Sequence, residues 1–270
     1  MSKTIFITGS TDGIGLETAK LLAAAGHRVL LHGRSPAKLA QARDEVAALQ
    51  GGAPPYTFLA DLSELAAVDA LGEEILARCP KLDVLMNNAG VFKVAKTTTA
   101  EDLEVRFAVN TLAPYALTQK LLARLGRSGR VINLSSAAQA PVRIAALRGQ
   151  AIMGDNATYA QSKLALTMWT RQLAASLGED APTLIAVNPG SFLRTKMVKE
   201  AYGSVGADIG IGADILFRAA LDPEFGEESG RYFDNDAGRF AAPHADALDP
   251  GKSAAVVDAI ESILTSKVTS

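Results

Sequence analysis

The sequence predicts an α/β fold, doubly wound, with helices in two layers around a mainly parallel sheet of seven strands. Three observations carry this expectation. Strand-like and helix-like segments alternate almost from the first residue, the pattern of parallel strands covered by helices on both faces. A glycine cluster lies directly between the first strand and the first helix. The 270 residues, 48% of them apolar, suffice for one α/β domain with a large core.

The elements follow in order. Residues 3–8 form a short β-branched run, and 12–25 carry Ile14, Leu16, Ala19, Leu22 and Ala23 at helical spacing, closed by Gly26. Strand 29–32 precedes a helix over 35–50, with Ser35 as N-cap and Pro36 in the first helical position. The rhythm continues through strand 56–60, helix 65–78, strand 82–87, a helix around 101–125, strand 130–134, a long helix 158–177, strand 184–188, strand 230–233 and an amphipathic helix 253–265. Nothing marks a linker, so residues 1–270 are expected to form one domain. Three stretches break the rhythm, 137–157, 190–212 and 235–250. The first two follow strand ends, where loops that contact ligands concentrate.

A formal net charge of −2 and the lack of any basic run argue against nucleic acid or anionic membrane as partner. No apolar run reaches the length of a membrane span, and the opening MSKTIFITGS lacks the apolar core of a signal peptide, so a cytoplasmic location is the expectation. The lone Cys79 reads as a packing residue. His27, His32 and His244 are too scattered to suggest a metal.

Thr8-Gly9-Ser10-Thr11-Asp12-Gly13-Ile14-Gly15 is the first chemical signal. Glycines allow a tight turn and let backbone N–H groups approach a pyrophosphate at the positive end of the following helix. The spacing is G-x-x-x-G-x-G, which supplies binding rather than chemistry. Further along, Tyr159 and Lys163 are four apart on a helix and share a face. A phenol is a poor base at neutral pH, and an adjacent ammonium favours its phenolate form.

The glycine loop resembles the opening of the short-chain dehydrogenase/reductase family, and five further segments match that family in order. They are Asn87-Asn88-Ala89-Gly90, Phe107-Ala108-Val109-Asn110, Asn133-Leu134-Ser135-Ser136, Tyr159-Ala160-Gln161-Ser162-Lys163 and Asn188-Pro189-Gly190. The resemblance implies a Rossmann-type sheet and an oxidoreductase that moves hydride between a nicotinamide and a carbonyl or alcohol. It implies Tyr159 as general acid/base, Ser136 rather than Ser135 as the hydroxyl on the substrate oxygen, and Asn110 as an anchor for a water linking Lys163 to solvent. Lys163 would also hold the nicotinamide ribose. Gly9 to Gly15, Asp61 with Leu62, Asn88, Ala89, Gly90, Pro189 and Gly190 would line the dinucleotide groove, with Asp61 at the adenine or as a helix-start residue.

The end of the second strand reads Leu31-His32-Gly33-Arg34-Ser35, without an acid. An arginine there pairs with a 2′-phosphate through its planar fork, so the expected cofactor is NADP(H), with hydroxyl help from Ser35, Ser10 or Thr11.

The chain departs from the compact family pattern in two places. Ser136 and Tyr159 are separated by a longer segment, 137–157, which is similar to the branch holding retinol dehydrogenases, WW-domain oxidoreductases and protochlorophyllide reductase. That likeness, with Val142, Ile144, Ile152 and Met153 on the segment, implies a bulky apolar substrate. Thr195, the residue expected near the nicotinamide amide, lies one position later than the common spacing. The stretch 192–212 reads as a mobile lid hinged at glycines 203, 206, 210 and 212, with Phe192, Met197 and Tyr202 toward substrate or packing the lid. Alternatives on the same scaffold are an epimerase or dehydratase that retains its cofactor, or a nucleotide-sensing regulator without chemistry. Pairing of two copies through the central helices is left open.

Overall fold

The computed structural model describes residues 1–49, 51, 53–178, 180–195, 197, 203 and 206–268. Tyr202, part of the expected lid, lies outside them, as does residue 50 at the expected end of the second helix. The chain runs β1 (Thr4–Ile7), α1 (Gly13–Ala24), β2 (Arg28–Gly33), α2 (Pro36–Ala47), β3 (Tyr56–Leu59), α3 (Leu65–Arg78) and β4 (Val84–Asn87). A composite helix α4 follows, made of Val105–Phe107, a π-helical turn Ala108–Leu112 and Ala113–Leu125. Then come β5 (Arg130–Leu134), the short α5 (Ile144–Leu147), α6 (Asp155–Ser176), β6 (Thr183–Asn188), α7 (Ile209–Leu221), β7 (Tyr232–Asp234), β8 (Arg239–Ala241) and α8 (Pro250–Val268).

The strands form one sheet in the order β3-β2-β1-β4-β5-β6-β7-β8, parallel except for β8. Its two faces are read directly from residue alternation. Ile5 and Ile7 enter one core layer and Phe6 the other; Val84 and Met86 oppose Leu85, and Ile185 and Val187 oppose Leu184, in the same way. Helices α1, α2 and α7 cover the first face, while α3, α4, α6 and α8 cover the second. Cys79 is buried in the second layer, where burial pushes its thiol pKa up, as a packing residue requires.

Four expectations are corrected. The sheet has eight strands rather than seven, because Arg239–Ala241 turns back on β7 as a hairpin whose second arm is too short to show periodicity. Helix α7 begins inside the stretch read as a lid. Gly210 and Gly212 are helical, and a Cβ at Gly212 would stand 2.6 Å from Leu193 Cδ1, so this glycine serves close helix packing rather than hinging. The helix expected near 101 starts at Val105, behind a bridge between Thr98 and Glu104. Helix α6 starts at Asp155, so the segment 137–157 ends in its first turn and holds α5.

This topology gathers the motifs. The loops after β1, β4, β5 and β6 all leave the carboxyl edge of the sheet, and the strand order reverses beside β1, which leaves a crevice there.

Candidate active site

One cleft of about 1180 Å³ runs along that edge. Gly9, Thr11, Asp12, Gly13, Ile14, Gly15, Arg34, Asp61, Leu62, Asn88, Ala89, Gly90, Ser136, Tyr159, Lys163, Pro189, Gly190 and Thr195 all line it. The structure thus brings together most of the residues singled out from the sequence. Ser10 is different. Its hydroxyl donates to His32 O and accepts from His32 N, wholly buried beneath the loop, because the turn at Gly9 sends residue 10 toward β2. Ser35 is half-buried at the N-cap of α2, makes no side-chain capping bond and does not line the cleft.

The floor of the cleft is built by close approach. Gly9 and Gly13 have φ of 65° and 60°. A Cβ at Gly15 would stand 2.4 Å from Asn88 Nδ2 and 2.5 Å from Gly9 O, so only glycine lets the start of α1 sit against the loop after β4. Asn88 locks that contact by donating to Thr8 O at 2.9 Å and Gly9 O at 3.0 Å. Above Gly13 nothing lies within 4 Å of where a Cβ would be, which leaves the positive end of α1 open to the cleft. A dinucleotide pyrophosphate fits this cradle.

His32 supports the loop from behind, a role the sequence did not reveal. Its Nδ1 accepts from Gly9 N at 3.0 Å, and Nε2 lies 3.2 Å from Ala60 O, so the ring is the Nε2-protonated tautomer. Burial pushes the imidazole pKa down to about 4, and the ring is neutral at physiological pH.

At the other end of the cleft the expected chemical groups converge. Lys163 is 4% exposed, and its Nζ donates to Leu134 O at 2.6 Å and lies 5.9 Å from the Tyr159 ring centroid. Burial pushes the lysine pKa down to about 8. Asn110 stands in the π-helical turn, fully buried, and its amide exchanges two hydrogen bonds with the Val91 backbone while donating to Ser162 Oγ at 2.9 Å. A Cβ at Gly90 would stand 3.4 Å from both Asn110 Oδ1 and Lys163 Nζ, which places all three around one point. The two serines separate cleanly. Ser135 Oγ is buried against Thr167 Oγ1 at 2.6 Å, whereas Ser136 is half-buried at the cleft with its hydroxyl accepting from Ala138 N at 3.1 Å. Tyr232 donates to Ser136 O from β7 at 3.2 Å, a support without any local sequence signal.

At the mouth, Arg34 is 71% exposed and reaches Asp61 at 3.7 Å. The other oxygen of Asp61 accepts from Ser63 N and Oγ, so the helix-start role is visible too. Lys38, unremarkable in sequence and in the first turn of α2, pairs with Asp12 at 2.9 Å and adds a second cation near Arg34. Among the described residues, no group of His, Cys, Asp or Glu could hold a metal ion.

A family model described as short chain dehydrogenase matches residues 3–204. The chain belongs to the short-chain dehydrogenases. This family member stands in the branch of the retinol dehydrogenases: it is 37% identical to retinol dehydrogenase 12 of Bos taurus over 204 residues, 74% of this chain. It spans 64% of that bovine protein's length. Among solved structures, an uncharacterized protein of Mycobacterium paratuberculosis superposes with a TM-score of 0.78 at 27% identity, covering 97% of this chain and 93% of its own. A short chain dehydrogenase of Shigella flexneri complexed with NADP has a TM-score of 0.68 at 26% identity, covering 87% and 97%. The family is one of oxidoreductases that use a nicotinamide cofactor and a small-molecule alcohol or carbonyl.

Proposed function

We propose that this dehydrogenase is an NADP(H)-dependent carbonyl reductase or alcohol dehydrogenase, with Tyr159 as general acid/base. One observation carries the reading: Tyr159 and Lys163 on α6 and Ser136 after β5 line the same cleft as the glycine loop, and Asn110 of α4 stands behind it beside Gly90 and Lys163. The nicotinamide supplies or accepts the hydride. The chain supplies position and the proton. Tyr159 Oη gives a proton to the carbonyl oxygen in reduction and takes one from the alcohol in oxidation, Ser136 Oγ donates a hydrogen bond to the same oxygen, and Lys163 provides the positive charge that favours phenolate. Asn110 holds the loop at Val91, and through it the shape of the cleft beside Lys163.

Two features support NADP(H) over NAD(H). Arg34 lines the cleft where the second strand ends, with Lys38 close by on Asp12, and a structural neighbour is complexed with NADP. The substrate is bulky and apolar on this reading, because Phe92, Val94, Val105, Val109, Phe192 and Met197 line the cleft and the retinol dehydrogenases are relatives. The test is a screen of NADPH oxidation with aldehydes, ketones and quinones of graded size. Turnover that rises with apolar bulk and vanishes in Tyr159→Phe is expected; turnover equal in both proteins would remove Tyr159 from the mechanism.

A further inference from the structure

Among the described residues, Arg106 is the most deeply buried cation outside the chemical groups, at 1% exposed. A buried guanidinium is stable only if its donors are met, and its planar fork fixes the partners relative to one another. The partners here come from three segments. Nε donates to Phe92 O in the loop after β4, at 2.5 Å; one terminal nitrogen pairs with Glu104 at the start of α4, and the other with Asp155 at the start of α6.

Two of those partners flank the phenol. The Phe92 ring lies on the Tyr159 ring, with centroids 4.8 Å apart at 56°. Asp155 precedes Tyr159 by four residues on the same helix, one turn away. Arg106 also stands one turn before Asn110, so a single stripe of α4 grips consecutive residues of the loop, Asn110 at Val91 and Arg106 at Phe92. A side chain needed only for volume would be aliphatic at this depth. A charged fork joining the ring that packs on Tyr159 to the helix turn beneath it fixes a geometry.

We propose that Arg106 is a positioning residue for Tyr159, setting the phenol's orientation through Phe92 O and Asp155. The proposal rests on Tyr159 being the proton donor. Arg106→Gln is expected to lower kcat roughly 10- to 100-fold, as a misplacement of about 1 Å does, with the Kd for NADPH changed by no more than about twofold. Arg106→Lys, which keeps the charge but loses the fork, is expected to recover part of kcat. Asp155→Asn tests the same contact at an exposed helix start, where folding is not at risk, and should lower kcat in the same direction by less.

An ultraviolet difference titration of the phenolate band, each protein against its Tyr159→Phe counterpart, reads the phenol without turnover. The Tyr159 midpoint should move in Arg106→Gln and, less, in Asp155→Asn. Unchanged kcat in both variants, or a kcat loss matched by an equal loss of NADPH affinity, overturns the proposal. If no carbonyl substrate is turned over by the parent protein, the functional reading fails, and the titration alone decides: an unmoved Tyr159 midpoint in both variants rejects the role of Arg106.

Discussion

The two ends of the cleft are built on opposite principles. At the chemical end Asn110 and Lys163 are buried and tied to the backbone, Asn110 by Val91 with Ser162 beside it and Lys163 by Leu134 O, while half-buried Ser136 is held through its carbonyl by Tyr232. At the other end Arg34, Lys38 and Asp12 stand in solvent and Asp61 is half-buried, and the cations are joined to the carboxylates by single ion pairs. A buried group without its partner costs far more than an exposed one, so changes at the first end should be large and insensitive to salt. Changes at the second should be small and screened.

The largest expected effect is therefore Tyr159→Phe. Loss of the proposed general acid should lower kcat by roughly 10²- to 10⁴-fold while NADPH still binds, measured by steady-state kinetics beside calorimetric titration. Equal losses of binding and turnover would mean that the phenol is structural.

Lys163 sharpens the contrast, because its burial carries a cost. The native lysine releases its proton near pH 8 and the unfolded one near 10.5. Between those values the unfolded chain holds more protons, so this site makes stability rise with pH across the window. Below pH 8 the buried ammonium subtracts roughly 3 kcal/mol. Lys163→Met should abolish turnover yet raise urea-unfolding stability near neutral pH by about 1–2 kcal/mol, since the orphaned Leu134 carbonyl offsets part of the gain. In the parent protein kcat/KM for NADPH should fall as pH rises through about 8. A less stable Lys163→Met protein would contradict the burial cost.

At the exposed end, Arg34→Ala should weaken NADPH by roughly tenfold and NADH hardly at all, with the difference shrinking in high salt. Equal losses would reject the 2′-phosphate assignment. The smallest effect is expected for Asp61→Asn: removing a pair at 3.7 Å between an exposed arginine and a half-buried carboxylate should change unfolding free energy by less than about 1 kcal/mol.

What could be read from the sequence follows the same division. Elements with a strong local period were legible, as were motifs whose residues are neighbours in the chain, which is why β1 to β6 and the pairing of Tyr159 with Lys163 were found. Helix α7 was hidden because its glycines mimic hinges, although Gly212 allows the helix to pack against Leu193. The roles of His32, Tyr232 and Lys38 depend on contacts between segments far apart in sequence, and Ser10 points away from the cleft only because Gly9 turns the chain. No local pattern carries that information.

The most direct test follows the transferred hydrogen. NADPH deuterated on the transferable face of its nicotinamide C4 is mixed with an apolar aldehyde that the protein reduces, and the alcohol is examined by mass spectrometry. Deuterium on the carbinol carbon, absent from product with Tyr159→Phe, is the predicted result. Label that stays on the cofactor while the substrate changes, or a Tyr159→Phe protein that transfers it at the parent rate, would contradict the account.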